Sequence, residues 1–259
     1  MKKQKIDLRF KNFKPKDYLN EYYSRIGSEN FNLLKFFAEA YKLVPKNSLV
    51  LEFGGGPTLF SLISAAPVAK EIHFSDYLDI NLNEAKLWKN KSPKAFDWSS
   101  FVRTTLKIEG LNKINAKDIE TRENLLRKRL TKFLHCDAFK KFPLGKKYSD
   151  FYDVVSVNGV LDSITAGKKI WEILLQNLST LLKKKGMLVM YALKDAAYWR
   201  SGERIFPAVN LNEKDIKIAL SKLGFKIVYI SSIPAEVIDE KAENYEGYKG
   251  FIFVCAKKT

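Results

Sequence analysis

Cysteine is nearly absent: Cys136 and Cys255 are the only two in 259 residues. Two are too few for a disulfide framework, so a reducing, cytoplasmic setting is expected. Histidine is equally scarce. His73 and His135 each sit in an apolar run, far from one another, so no metal-ligand spacing arises, no metal is expected, and both rings read as packed side chains. No apolar run approaches the roughly 18 residues that a membrane span needs. The opening stretch, Met1 to Phe10, is basic but lacks the apolar core of a secretory signal. There is no internal repeat and no low-complexity linker, and the chain reads as a single domain over 1–259.

What is abundant is positive charge. The formal net charge is +16, which raises nucleic acid as a partner. The excess is densest over residues 112–147, with eleven Lys/Arg against four Asp/Glu. Few aromatics interleave with these bases, as a single-strand platform would want, so a Lys-rich solvated surface is the preferred reading. No dimer patch stands out, and a monomer is expected. The apolar fraction of 46% is ordinary for a globular protein.

Residues 13–44 carry apolar positions at helical spacing, Phe31, Leu34, Phe37, Ala38 and Tyr41 among them, and Pro45 closes the segment. Strands and helices then alternate. Strands are expected at 48–53, 71–75, 131–136, 152–157 and 187–193, and helices at 168–182 and 212–223. Residues 77–130 exceed one crossover helix, so two helices and an irregular insertion at about 88–130 are expected there. Two late strands, 225–233 and 250–256, have no helical signal between them and should pair antiparallel. The result is an α/β fold, mostly parallel, whose ligands bind outside the carboxyl ends of the strands at the switch point.

The most informative stretch is Leu49-Val-Leu-Glu-Phe-Gly-Gly-Gly-Pro-Thr58. An apolar strand ends in Glu52, and three glycines follow. Glycine lets backbone N–H groups come close to a ligand, and an acid there suits a group that offers donors. The G-x-G-x-x-G spacing of a dinucleotide site is not met, and no Lys-Ser/Thr follows as in a phosphate loop. Pro57 suits the first turn of a following helix. Asp76, after the second strand, can hold a ribose diol, and Asp137, after the third, can accept from an adenine amino group. These residues favour S-adenosylmethionine over NAD without excluding NAD.

Longer motifs then point to a family. Phe13-Lys-Pro-Lys-Asp-Tyr-Leu-Asn-Glu-Tyr-Tyr23, Gly54-Gly-Gly-Pro-Thr58, Asp76-Tyr-Leu-Asp-Ile-Asn81 and Pro93-Lys-Ala-Phe-Asp-Trp98 resemble the small-molecule N-methyltransferases, which include the nicotinamide, phenylethanolamine, indolethylamine and thioether enzymes. His135-Cys-Asp137, Ala192-Leu-Lys194 and Gly202-Glu203 agree, so the resemblance covers about residues 13–257. It implies a class I, Rossmann-like methyltransferase sheet of seven strands with an antiparallel last strand, and an N-terminal helical lid over 1–45. It also implies S-adenosylmethionine as methyl donor and S-adenosylhomocysteine as product. Tyr18 and Tyr23 would close over the cofactor, and Gly54 and Gly55 would line its methionine part, with Thr58 in the same turn. Asp76, Tyr77 and Asn81 would hold the ribose and flank the adenine, Asp137 and Ala138 would meet the adenine edge, and Asn158 would lie below the sulfonium. Phe60 departs from the pattern, because some members place there a tyrosine that touches the cofactor carboxylate.

Methyl transfer from a sulfonium is an in-line displacement, and the protein mainly supplies alignment. A carboxylate can hold an incoming ammonium and accept its proton. The resemblance offers Asp162 and Asp195 for this role, although an acid at Asp162 equally suits a helix cap. Nicotinamide is disfavoured, because the nicotinamide enzymes carry an aspartate at Tyr191 and a serine at Ala208. Tyr191, Tyr198, Trp199 and Phe206 suggest an aromatic wall, and the expected acceptor is a small aromatic or heteroaromatic amine. An RNA methyltransferase and a catalytically idle cofactor-binding protein remain as alternatives.

Overall fold

The computed structural model describes Phe10 and residues 12–259; the basic opening stretch, residues 1–9 and 11, lies outside the described residues. In chain order the helices are α1 (Pro15–Tyr23), α2 (Ser28–Lys42), α3 (Asp79–Lys89), α4 (Ser99–Ile108), α5 (Ala116–Arg129), α6 (Lys168–Ser179) and α7 (Glu213–Lys222). The strands are β1 (Ser48–Phe53), β2 (Ala69–Asp76), β3 (Leu130–His135), β4 (Tyr152–Asn158), β5 (Leu182–Lys194), β6 (Tyr198–Ser201), β7 (Arg204–Pro207), β8 (Phe225–Pro234) and β9 (Gly250–Lys258). Seven of them form one sheet in the order β3-β2-β1-β4-β5-β9-β8. β1, β2, β3, β4 and β5 pair in parallel, and β9 runs antiparallel to both of its neighbours, β5 and β8. Strand order reverses between β1 and β4, so the crevice opens outside their carboxyl ends.

The alternation along β1 sorts the core into two layers. Val50 faces the layer that holds Phe37, Phe74, Trp98 and Phe101. Leu51 and Phe53 face the opposite layer, with Val155, Val157, Trp171 and Leu220. Glu52 shares the Val50 face, and a carboxylate is thereby carried into the interior under α2 at 2% exposure.

The N-terminal segment, expected as one helix, is two. Asn30 Nδ2 donates to the carbonyls of Tyr22 (2.8 Å) and Arg25 (3.1 Å), taking up acceptors where α1 ends. Residues 77–130 hold three helices, and the last, α5, starts on a capping box made by Asn115 and Asp118. Pro57 does not open a helix: turns and a short 3-10 segment, Phe60–Leu62, follow it. The β6–β7 hairpin was not visible in the sequence, since its strands have four residues each and turn at Gly202 with φ +58°. His73 is packed, as expected, and its Nδ1 lies 2.9 Å from the Tyr152 hydroxyl. His135 is exposed instead, because β3 is an edge strand.

Candidate active site

The glycine turn after β1 is shaped by packing as much as by ligand approach. Gly54 and Gly56 take positive φ (+67° and +60°), where glycine is at ease. Gly55 is held by a different constraint: a Cβ there would sit 2.4 Å from the ring of the fully buried Phe74. Its N–H donates to the Ser75 carbonyl at 3.0 Å, and its carbonyl accepts from Thr58 Oγ1 at 2.8 Å. The turn is thus fastened to the end of β2, beside Asp76. Asp76 accepts from the N–H of Gly56 and of Leu78, both at 2.8 Å, and from Asn81 Nδ2 at 3.1 Å. Burial pushes its carboxyl pKa up, against the pull of these bonds.

A cavity of about 140 Å³ follows this edge. It brings together Tyr18, Tyr23, Gly54, Gly55, Thr58, Asp76, Tyr77, Asn81, Asp137, Ala138 and Asn158, every residue named above for the cofactor. At one end Tyr77 faces the exposed His135 ring at 5.2 Å, and Asp137 Oδ1 accepts from the Phe139 N–H at 3.1 Å. At the other end lies Glu52. Its Oε1 accepts from Ser61 Oγ (3.0 Å) and Asn158 Nδ2 (3.1 Å). Burial raises its pKa to about 7. Phe60 packs on Tyr23, with ring centroids 5.1 Å apart.

A second cavity, of about 100 Å³, adjoins the first and shares Tyr18, Tyr23, Gly159, Ser163, Tyr191 and Trp199 with it. Its own walls are Tyr22, Leu33, Leu193, Tyr248 and Phe251, with Glu29 and Asn30. Tyr191 stands at the junction. Its ring lies on Gly159, where a Cβ would come within 2.9 Å of it. α1, whose Tyr18 and Tyr23 line both spaces, is tied to the β6–β7 hairpin and Glu246. The Tyr22 hydroxyl lies 2.7 Å from the Arg200 carbonyl and 2.9 Å from Glu246 Oε2, and Glu21 accepts from the Gly202 N–H at 2.8 Å. Trp199 donates to the Ser163 carbonyl at 3.0 Å and stacks on Phe206 at 4.3 Å.

Four expected residues stand outside both linings. Phe206 backs Trp199 from behind. Tyr198 packs on Gly247 and Tyr245. Asp162 caps no helix: its Oδ2 accepts from the Leu193 N–H at 2.8 Å and its carbonyl from the Val209 N–H at 2.8 Å. Asp195 sits at φ +48° just past β5, its N–H donating to the Leu211 carbonyl. Conversely, Ser163, Gly159, Glu29 and Tyr248 were missed. Glu29 and Tyr248 lie 219 residues apart and meet only through the fold, with the Tyr248 hydroxyl 3.3 Å from Glu29 Oε2.

The charge of the site opposes that of the chain. Among the described residues, the first cavity is lined by Glu52, Asp76 and Asp137 and the second by Glu29, with no Lys, Arg or His in either lining, although the sequence holds 45 Lys and Arg. Two buried acceptors in the first lining, Glu52 Oε2 and Asn81 Oδ1, have no partner, which is costly unless a ligand supplies donors. A ligand that fits must bring hydroxyl or amino donors and positive charge. S-adenosylmethionine brings a ribose diol, an adenine amino group, an ammonium and a sulfonium.

Comparison with known proteins agrees. The model of the NNMT/PNMT/TEMT family matches residues 3–259. The chain is 30% identical to human nicotinamide N-methyltransferase over 97% of its own length and 95% of that protein. It is 28% identical to indolethylamine N-methyltransferase of Mus musculus over 96% of this chain and 94% of that one. Among solved structures, a 1,6-didemethyltoxoflavin-N1-methyltransferase of Burkholderia thailandensis, with S-adenosylhomocysteine bound, matches with a TM-score of 0.56 at 12% identity, over 100% of this chain and 91% of that chain. The chain belongs to the NNMT/PNMT/TEMT family and is an S-adenosylmethionine-dependent N-methyltransferase with the class I fold.

Proposed function

We propose that the chain transfers a methyl group from S-adenosylmethionine to the nitrogen of a small aromatic or heteroaromatic amine, acting as a monomeric single domain with α1 and α2 as its lid. The observation that carries this reading is the junction at Tyr191: an acidic cavity and a neighbouring, largely aromatic cavity of about 100 Å³ share a wall there. When bound, S-adenosylmethionine supplies an electrophilic methyl group. Asp76 and Asn81 hold its ribose, Asp137 and Ala138 meet its adenine, and Gly54, Gly55 and Thr58 line its amino-acid end.

The protein's own contribution is alignment and exclusion of water. Tyr18, Tyr23, Tyr191 and Trp199 wall the acceptor against the methyl group. Burial raises the phenol pKa of Tyr18, Tyr23 and Tyr191, so these hydroxyls stay neutral and act as hydrogen-bonding groups rather than bases. The acceptor reacts through its lone pair, and the proton released afterwards passes to water. Asp162 acts as a positioning residue: it fixes the Leu193 N–H two residues after Tyr191. Asp195 sits where β5 hands over to the β6–β7 hairpin and sets how that hairpin leaves the sheet.

Tyr191 and Ala208, which replace the aspartate and serine expected of nicotinamide enzymes, argue against nicotinamide itself as the acceptor, despite the overall similarity to those enzymes. Among the described residues no basic side chain lines either cavity, which argues against a polynucleotide acceptor. Among the described residues no helix is long and apolar enough to cross a membrane. The two unpaired, buried cysteines suit a reducing cytoplasm. The test is methyl transfer from labelled S-adenosylmethionine to a panel of aromatic and heteroaromatic amines, with RNA in parallel. Turnover of at least one amine supports the proposal; label in RNA alone overturns it.

A further inference from the structure

Among the described residues Glu29 is the one carboxylate that lines the second cavity, and it stands on the wall that the first cavity does not share. Its Oε1 accepts from the Glu236 N–H at 2.8 Å, and its Oε2 accepts from the Tyr248 hydroxyl at 3.3 Å. Among the described residues no Lys or Arg nitrogen stands within ion-pair distance of it; Arg25, close in sequence, pairs with Glu236 at 3.0 Å. Burial, with the like charges of Glu236 and Glu246, raises the Glu29 pKa, as expected of an anion held out of water without a counter-charge. The side-chain donors on the same wall are already engaged. Asn30 Nδ2 donates to the Tyr22 and Arg25 carbonyls, and the Tyr22 hydroxyl faces the Arg200 carbonyl and Glu246 Oε2. An anion entering here would meet negative charge, whereas a cation would meet a carboxylate between aromatic rings. Glu29 does not line the first cavity, so the cation it receives is not the nitrogen that is methylated.

We propose that Glu29 selects an acceptor with two nitrogens: a heteroaromatic ring nitrogen that takes the methyl group at the Tyr191–Gly159 junction, and a protonated amino arm that pairs with Glu29. This assignment rests on the methyltransferase reading of the two cavities. The division of roles follows from basicity. An alkylammonium titrates at about 10, as a lysine does, so near neutral pH the arm is charged and has no lone pair to give. A pyridine-type ring nitrogen is neutral and keeps its lone pair. That lone pair forms the new N–C bond, the S–C bond breaks with its electrons left on sulfur, and the positive charge passes from sulfur to the ring nitrogen. No proton is released. By holding the arm, Glu29 fixes which nitrogen faces the methyl donor.

The experiment compares ring-matched probes, aminomethyl- against hydroxymethyl-substituted pyridines and quinolines. Each is titrated by calorimetry into the full chain saturated with S-adenosylhomocysteine, and into its Glu29→Gln variant. Within a pair the aminomethyl probe should bind the wild type about 10- to 100-fold more tightly, as a charge-assisted bond predicts. In Glu29→Gln, whose side-chain carbonyl still accepts from the Glu236 N–H, that ratio should fall to within about threefold. S-adenosylhomocysteine affinity within about threefold of wild type shows that the variant folds; if it does not fold, the wild-type ratio alone decides. In the product of an aminomethyl probe that is turned over, NMR should place the labelled methyl on the ring nitrogen. Equal affinities within every pair, an unchanged ratio in Glu29→Gln, or a methyl on the arm overturns the Glu29 assignment, while turnover of other amines leaves the methyltransferase reading standing. If the wild type binds no S-adenosylhomocysteine, that reading itself fails.

Discussion

Gly55→Ala isolates the packing constraint under the cofactor turn. The added methyl would stand 2.4 Å from both Cε2 and Cζ of Phe74, about 1 Å or more inside a normal carbon–carbon contact. Phe74 is fully buried and its ring cannot swing into solvent, so either the ring or the turn must move. Overpacking of this kind costs about 1–3 kcal/mol. For a chain of this size that lowers the melting temperature by about 4–8 °C at 2 kcal/mol. The turn is tied to Ser75 and Thr58 through Gly55 itself, so its displacement should also weaken S-adenosylhomocysteine binding about tenfold or more. Gly56→Ala is the control, because nothing lies within 4 Å of its Cβ position and only the backbone at φ +60° is strained, at about 1–2 kcal/mol. The clash also predicts coupling. Phe74→Leu should destabilise alone, yet cost about 1 kcal/mol less in the Gly55→Ala background. Thermal and urea melts of the four proteins measure this directly. A Gly55→Ala protein that melts within about 1 °C of wild type, or strictly additive costs, would refute the reasoning.

Glu52→Gln should gain stability on the wild type as pH rises. A raised carboxyl pKa means that the Glu52 contribution is fully present below its ordinary value of 4.5 and is lost as pH climbs through about 7; the gain is on the order of 3 kcal/mol by pH 8, read from urea melts of the ligand-free proteins. Gly159→Ala drives a methyl into Tyr191 at a residue with φ +62°. Amine turnover should fall about tenfold or more in kcat/KM while S-adenosylhomocysteine affinity stays within about threefold, a split that steady-state kinetics and calorimetry resolve. Trp199→Ala removes the ring stacked on Phe206 at 4.3 Å; the KM for the amine should rise several-fold and proteolysis within residues 12–27 should quicken. Raising salt from about 50 to 500 mM should leave S-adenosylhomocysteine affinity within about threefold, since no basic side chain among the described residues lines the cavity, while any RNA binding by the Lys-rich surface falls by orders of magnitude.

The periodic part of the molecule was legible because burial imposes it. β1 was read residue for residue, since Leu49 to Phe53 cannot face water, and the antiparallel β8–β9 pair followed from the missing helix between two apolar runs. The gathering of the expected cofactor residues in one cavity lining was legible for a related reason: they stand at strand ends, Asp76 at the end of β2 and Asp137 after β3. What failed depends on tertiary contacts. The break between α1 and α2 is made by Asn30 reaching back to two carbonyls. The β6–β7 hairpin has strands of only four residues each and is tied to α1 through Tyr22 and Glu21. The acceptor cavity joins Glu29 to Tyr248 across the whole chain, which no local pattern encodes. Asp162 and Tyr198 were chosen for chemistry that their neighbours redirect, one toward the backbone of β5 and the other toward Gly247. Gly55 was legible as a glycine but not for its reason, which is a phenylalanine on the adjacent strand.

The central claim is that the acceptor amine lies across the Tyr191–Gly159 junction from the methyl donor. A crystal structure of the full chain with S-adenosylhomocysteine and an amine that the enzyme methylates tests it most directly. The thioether is expected between Asn158 and the glycine turn, with the amine ring among Tyr22, Tyr191, Trp199 and Tyr248 and its nitrogen turned toward the sulfur. An amine bound outside that aromatic cavity, or an adenosyl group away from Asp76 and Asp137, would contradict it.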